Sequence, residues 1–315
     1  MRSAGRPRGT HAGARPAGLC RARVDRSLVV SWLNRGTLHL VRAEDHGWLH
    51  AITAPRIRTG NARRLKQEGV SATQADHGVV VIERTLTRDG PCTRAQIGEH
   101  LAAAGVPVAG QALVHLLVRA TIDGVVVRGP VVGAEQAFVL TRDWLGPPAD
   151  VDLDAAVVEL CRRYLVGHAP ADERDVAIWA GLPLGVIRAG LRATRPIADD
   201  VTGGLVPRGW VPSAAEPPPP RLLGSFDPVL HGWRERSWVL GDRTDVVTLN
   251  GIFRPIALVG GRAVGTWTLP ANVVTLRPFA PLDDEVTAAL TTDASDVVRY
   301  LGRRPGSRAL VVADP

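Results

Sequence analysis

Lysine is almost missing from this chain: Lys66 is the only one among 38 basic residues, and the rest are arginine. Methionine occurs once, tyrosine twice and phenylalanine four times, beside eight tryptophans. Such skew reads as coding bias before it reads as function. The three cysteines, Cys20, Cys92 and Cys161, stand far apart with no CxxC pair and no histidine at zinc spacing. This excludes a disulfide framework or structural zinc and fits a reducing cytoplasm. No apolar run reaches membrane-spanning length, and the basic N-terminus lacks the apolar core of a signal peptide. No paired-carboxylate site, Ser/His/Asp arrangement or phosphate-cradling glycine loop stands out, so neither a metal nor another cofactor is expected.

What is present is enough apolar content, 45% of 315 residues, for two to four small domains with real cores. The net charge of +7 is local: Met1–Lys66 carries +11, and residues 67–315 carry −4. Residues 1–24 are rich in Arg, Gly, Ala and Pro without apolar periodicity, and are predicted to be a disordered basic leader. That leader reads as an arm along phosphates or as a non-native start.

The clearest unit is Gly90–Leu140. Thr93-Arg-Ala-Gln96 has capping-box form and should start a helix carrying Ile97 and Leu101. After a turn at Gly105–Gly110, a second helix over about 111–121 places Leu113, Leu116, Leu117 and Ala120 on one face. Gln111, His115 and Arg119 form an opposite stripe expected to be open. Val125–Arg128 and Gln136–Leu140 make a β-hairpin. The order is that of a winged helix-turn-helix, which places its second helix in the major groove and its hairpin on phosphate or the minor groove.

Around this unit, 25–70 reads as part of a first winged helix with a linker, 71–147 as the central module, 148–216 as a third, and 217–315 as a β-rich domain with a closing helix over Asp283–Leu301. The fold class is α+β. Leu28, Val29, Trp32 and Leu33 have helical spacing, Thr37–Val41 alternates like a strand, and Glu44-Asp45 open a helix expected to stop at Pro55. Arg56, Arg58, Arg63, Arg64 and Lys66 then run without an acid, as a solvated linker or as a segment lying along a nucleic-acid backbone. Gly204–Val206, Gly209–Val211 and Trp238–Leu240 read as strands, and Val259-Gly-Gly-Arg262 as a two-residue hairpin.

Several stretches resemble the AlkZ/YcaQ-like winged-helix family: Arg26–Val41 with its Arg-Gly-Thr-Leu-His core, Arg163–Pro170 with Trp179–Leu182, Phe226–Trp233, and Phe253–Pro255 with Val264–Trp267. The resemblance spans roughly 25–280. It implies tandem winged helices and a β-rich part curved around duplex DNA and, for characterised members, glycosylases that remove bulky alkylated bases and unhook interstrand crosslinks. The family's Gln-aliphatic-Gln or Gln-aliphatic-Asp triplet, some forty residues before the Arg-Gly-Thr-Leu-His stretch, would fall at or before Met1. None of Gln67, Gln74, Gln96, Gln111 and Gln136 sits in such a triplet.

Catalytic residues therefore stay unassigned. Arg35, Thr37, His39, Gln111, His115, Arg119, Arg128, Asp227 and His231 are the expected DNA contacts, with Arg35, Arg119 and Arg128 on one basic surface. Arg35 could instead pair with an acid, His39 could be a packing residue, and Asp227-Pro228 could be a turn. The reading is a monomeric cytoplasmic, nucleoid-associated protein that binds double-stranded DNA without catalysis by the residues of this chain. The alternatives are an active DNA glycosylase with a further N-terminal segment, a winged-helix transcriptional regulator, and an interaction scaffold. A first module lacking covering helices should expose Leu28, Trp32 and Trp48.

Overall fold

The structure is a computed structural model that describes residues 22, 25–132, 135–195, 197–199, 203–211, 216–248, 251–303 and 309–314. The expected leader, apart from Ala22, lies outside the described residues. The chain divides into two compact units, one spanning Arg21–Arg208 and one containing Gly209–Pro315.

The first unit opens with β1 (Leu28–Leu33) and β2 (Thr37–Arg42), a hairpin paired from Leu28↔Arg42 to Leu33↔Thr37. The helix expected over 28–33 is a strand. Its run of Leu, Val and Trp is buried on both faces, a pattern that periodicity alone does not separate from a helix. Trp32 lies in the main core at 8% exposure, so it is not uncovered as expected; Leu38 and Leu40, on the edge strand, are the exposed apolar residues.

Helix α1 (Ala43–Gln67) continues through Pro55 for 25 residues, overriding the stop expected there. A proline inside a helix removes one ladder bond and crowds the preceding turn. Here Ile52, Thr53, Ala54, Asn61 and Leu65 are buried on the inward face. Tertiary packing offsets the local penalty, and the basic run read as a linker is helical.

Next come α2 (Ala72–Asp89), α3 (Arg94–Ala103), α4 (Ala112–Ile122), β3 (Val126–Val132), β4 (Glu135–Leu140) and the short α5 (Thr141–Leu145). The Thr93 capping box is present: its hydroxyl accepts from Gln96 N, and Gln96 Oε1 accepts from Thr93 N at 2.8 Å. Between α2 and α3, Cys92 and Phe138 exchange backbone hydrogen bonds of 3.2 and 2.8 Å, tying the helices to the hairpin. One sheet, ordered β2-β1-β3-β4, joins strands from segments 25–70 and 71–147 that the sequence suggested were separate.

The same plan returns in α6 (Leu153–His168), α7 (Glu173–Ala180), α8 (Leu184–Thr194), β5 (Ile197–Asp199) and β6 (Gly204–Val206). Ala171 takes the place of Cys92 and exchanges bonds of 3.2 and 2.8 Å with Leu205. In both copies the bridging residue directly precedes a capping-box N-cap, Thr93 in one and Asp172 in the other. Gly209–Val211, expected as a strand, is turn and irregular chain.

The second unit is built on a five-stranded sheet whose strands neighbour one another in chain order. Its elements are β7 (Arg221–Leu223), α9 (Pro228–His231), α10 (Ser237–Leu240), β8 (Ile256–Val259), β9 (Arg262–Thr268), β10 (Val274–Pro278), α11 (Asp284–Tyr300) and β11 (Leu310–Val312). Trp238–Leu240, read as a strand, is part of α10. The Gly260-Gly261 hairpin turn has φ of 53° and 82°, as its sequence requires. One core joins α11 to Leu222, Ala257, Trp267 and Leu276; a second joins α9 and α10 to Leu223, Phe253 and Ile256.

Gly190 shows how tightly α8 sits on α6. A Cβ there would lie 2.7 Å from Val157 Cγ1 and 3.2 Å from the Val157 carbonyl oxygen, whereas one at Gly185 would meet nothing within 4 Å. Gly190→Ala should lower unfolding free energy by about 1–3 kcal/mol in a denaturant titration. Gly185→Ala should leave it equal or raised by up to about 1 kcal/mol. Equal stability of the Gly190→Ala and wild-type chains would show that the two helices are not tightly packed there.

Candidate nucleic-acid interface

The stretch that most resembles the family, 26–41, is the β1–β2 hairpin. Its turn holds Asn34 at φ 51° and Gly36 at φ 84°, with Gly36 N bonded to Leu33 O. Arg35 at the tip donates from Nη1 to the carbonyls of Ile178 (3.1 Å) and Trp179 (2.8 Å). These carbonyls lie in the last turn of α7, where a cation is favoured. That helix ends at Gly181 in the left-handed conformation, and a Cβ on Gly181 would stand 3.0 Å from Arg35 Cγ. Arg35 thus clamps the hairpin to the third helical module.

Thr37 and His39 share one side of β2, with Thr37 Oγ1 and His39 Nε2 2.8 Å apart. Burial, then the charge of Arg35, pushes the His39 imidazole down to about 4. His46 on α1 contacts Ser31 Oγ at 3.2 Å and stacks on His50 at 5.6 Å. It too is held at about 4, by burial first and by His50 second. At neutral pH both rings are uncharged, so these two side chains offer hydrogen bonds and not cations.

Arg163 of α6 reaches Asp45 Oδ2 and Glu159 Oε1, each at 2.6 Å, and lies over the Trp48 ring. Asp45 also accepts from Trp48 Nε1 at 3.0 Å. Trp48, expected as part of an uncovered patch, is thereby partly covered. Sequence reasoning missed this network. Its one visible signal was an acid, Asp45, on the apolar side of a helix start.

The polar stripe expected to be open on α4 is open only at Gln111. Helix α1 lies along α4: Asn61 Nδ2 donates to the His115 carbonyl (3.0 Å), His50 Nε2 contacts the Thr121 carbonyl (3.1 Å), and Arg58 pairs with Asp123. Arg119 is held between Asp76 (2.8 Å) and Asp123 (2.7 Å). Burial lowers the His115 pKa. Gln111 is exposed at the start of α4, with its backbone amide on Glu68 Oε2 at 2.9 Å.

Arg128 lies on the inward face of β3, its guanidinium carbon 4.2 Å from the Phe138 centroid and 4.9 Å from that of Trp32. Burial lowers its pKa, and Arg94 adds to the effect. Among the described residues no carboxylate pairs with it. Arg35, Arg119 and Arg128 therefore have three unlike sets of partners, and the expected common basic surface is corrected accordingly. Two of the three guanidinium groups are held by carbonyls or acids, and the third lies on aromatic rings.

In the second unit, Asp227 caps α9 by accepting from Val229 N at 3.0 Å, and His231 packs against Phe253 at 4.0 Å and Phe226 at 5.6 Å. Of the five glutamines, Gln74 and Gln96 complete capping boxes, Gln67 accepts from Arg64, and Gln136 lies 3.5 Å from the Gly129 carbonyl. Among the described residues no group of three or more His, Cys, Asp or Glu could hold a metal, and no helix is long and apolar enough to cross a membrane.

Comparison with known proteins places this arrangement. The family model described as DNA glycosylase AlkZ-like matches residues 10–300, and the chain belongs to that family. It is similar to the interstrand DNA cross-link repair glycosylase of Streptomyces sahachiroi, at 27% identity over 88% of this chain and 80% of that protein. The solved structure of the Streptomyces sahachiroi DNA glycosylase AlkZ shares its fold, with a TM-score of 0.70 and 23% identity over 95% of this chain and 84% of the other.

The lowered imidazoles set a pH dependence of stability. Between about 6.5 and 4 the unfolded chain takes up protons that folded His39 and His46 refuse. Stability is therefore complete above about 6.5 and falls as pH drops to about 4, by on the order of 3 kcal/mol for buried His46. Denaturation midpoints taken across that window should fall steadily with acid, and less steeply in His46→Asn. A variant curve as steep as the wild type would reject burial of His46 as a cause.

Proposed function

From its place in the AlkZ-like family, we propose that this chain binds double-stranded DNA as a monomer and that its own residues do so without cleaving the N-glycosidic bond. The observation that carries the reading is the helix–bridge–helix–helix–hairpin plan, used twice in one unit of a chain that matches the family over 10–300. Three-helix modules with a hairpin wing are a general solution for docking on a duplex. Thr37 and His39 on β2 are the contacts we favour, since both reach solvent and neither is held by an acid. Arg35 acts behind them by fixing the hairpin on α7.

Loosening a glycosidic bond needs a polar group to hold water beneath the sugar and a negative or dipolar partner for the cationic sugar. Four glutamines already have side-chain partners, and Gln111 at the start of α4 has none among the described residues. No pair of them is available for that work. A catalytic reading has in its favour the glycosylase activity in the names of the family and of the Streptomyces sahachiroi relative.

Fluorescence anisotropy with a labelled duplex should show binding that weakens linearly in log salt, with a negative slope set by the number of phosphates neutralised. Absence of binding at low ionic strength would refute the DNA reading. Duplexes carrying an alkylated base or a crosslink should release no free base above the protein-free background. Release above that background would replace the non-catalytic reading with the enzymatic one.

A further inference from the structure

The run Arg56–Lys66 is the largest feature of the sequence that the preceding site does not use. In the structure it is the second half of α1, a helix whose inward face is fixed by Asn61 and Leu65 against α4. From His46 to Gln67 there are five basic residues and no acid. Two have polar partners: Arg58 meets Asp123, and Arg64 meets the Gln67 amide. For Arg56, Arg63 and Lys66 the described residues offer no carboxylate, and all three are exposed. Helical spacing sets Arg56, Gly60 and Arg63 in one row on the outward side, with Lys66 beside it.

Two features of this row have no explanation inside the chain. Like charges three and four residues apart destabilise a helix, and surface helices ordinarily intersperse acids to relieve this. Here the acids of α1 are confined to its first turn, at Glu44 and Asp45. Glycine in a helix interior costs about 1 kcal/mol relative to alanine. Yet a Cβ at Gly60 would meet nothing within 4 Å, so no internal packing requires the residue to be small. A missing side chain between two unpaired guanidinium groups leaves helix backbone open to close approach by a ligand that is itself negatively charged.

We propose that the outward row of α1 is a phosphate-backbone rail: Arg56, Arg63 and Lys66 contact successive phosphates of one DNA strand, and Gly60 is where that strand comes nearest the helix. Arg56 and Arg63 are about 10 Å apart along the axis at 1.5 Å per residue, within the span of a few phosphates at 3.4 Å rise each. The row is non-specific, since phosphate contacts position a duplex without reading bases. This rests on the DNA-binding reading and adds to it a surface that contributes to the salt dependence.

The test uses the full chain, a labelled undamaged duplex and a salt series. Arg56→Ala with Arg63→Ala should reduce the magnitude of the log K against log salt slope by about two, close to one for each phosphate no longer neutralised. Arg84→Ala, which removes an exposed arginine of α2, should leave the slope unchanged. Gly60→Gln should raise the thermal midpoint, through better helix propensity, while weakening binding several-fold. A structural role alone would move stability and affinity together. The inference is overturned if the double variant keeps the wild-type slope, if Arg84→Ala reduces it as much, or if Gly60→Gln binds as tightly as wild type. In each of those cases the wild-type chain still binds DNA and the broader reading stands. Failure of the wild-type chain to bind the duplex overturns both, and binding of the wild type to anionic vesicles but not to the duplex points the row at a lipid surface instead.

Discussion

The packing of α1 along α4 determines which surfaces of the first unit remain available. Leu65 and Ala54 enter the same core as Leu116, Leu117 and Phe138, and Asn61 donates to a carbonyl that α4 itself exposes at His115. A buried amide left without that acceptor would cost about 1–3 kcal/mol, so the polar contact fixes register where apolar burial alone would tolerate sliding. Once this interface forms, the second helix of the central module is a structural element. Its counterpart α8 packs mainly on α6 and α7 and keeps Arg192 and Ala193 exposed. Two copies of one plan thus differ in what they can touch, and the difference arises from a helix outside both.

Electrostatics follow the same division. Arginine is almost the only cation, and its planar fork suits carbonyl pairs, carboxylates and aromatic faces alike. Arg35 on the α7 carbonyls, Arg119 between two aspartates and Arg163 between Asp45 and Glu159 are joints of the scaffold. Glu159, hydrogen-bonded first by Arg162 and also by Arg163, is held down at about 2, so its charge persists across physiological pH. Among the described residues, positive residues without such partners occur on several elements, among them Arg84 on α2, Arg192 on α8 and Arg277 on β10; on α1 three of them, Arg56, Arg63 and Lys66, lie along one side. The net charge is therefore a poor guide to where an anion would bind. What matters is which guanidinium groups have no internal partner.

Much of this was legible in the sequence where local chemistry decides local structure. The Thr93 capping box, the Gly-Gly hairpin, the Asp283-capped closing helix and the hairpin after α4 all depend on residues a few positions apart. Other features depend on partners far away in the chain. Leu28–Leu33 carries helical spacing, yet it is a strand because β2 and β3 flank it on both sides. Pro55 signals a stop, yet α1 continues because its far half has a core to enter. His115 and Arg119 form a polar stripe that looks open, yet Arg119 pairs with Asp76 of α2, more than forty residues earlier, and α1 reaches the His115 carbonyl through Asn61. A stripe of polar side chains reports that a face is not core. It does not report whether another helix satisfies those groups.

The same distinction separates holding DNA from acting on it. A binding surface tolerates displacement, since phosphate contacts are long-ranged and interchangeable between neighbouring charges. Hydrolysis of a glycosidic bond depends on one or two polar atoms held within hydrogen-bond reach of a water and a sugar. Gln74 and Gln96 have that polarity, but each is fixed at a helix start by bonds to its own N-cap, so neither can turn toward a substrate without uncapping a helix. His39 and His46 are neutral and bonded to hydroxyls, suited to hydrogen bonding but not to stabilising a cationic sugar. On the proposed reading a duplex needs only a surface to position it, whereas groups that would attack its sugar have to be sought outside the capping boxes and clamps on which this fold relies.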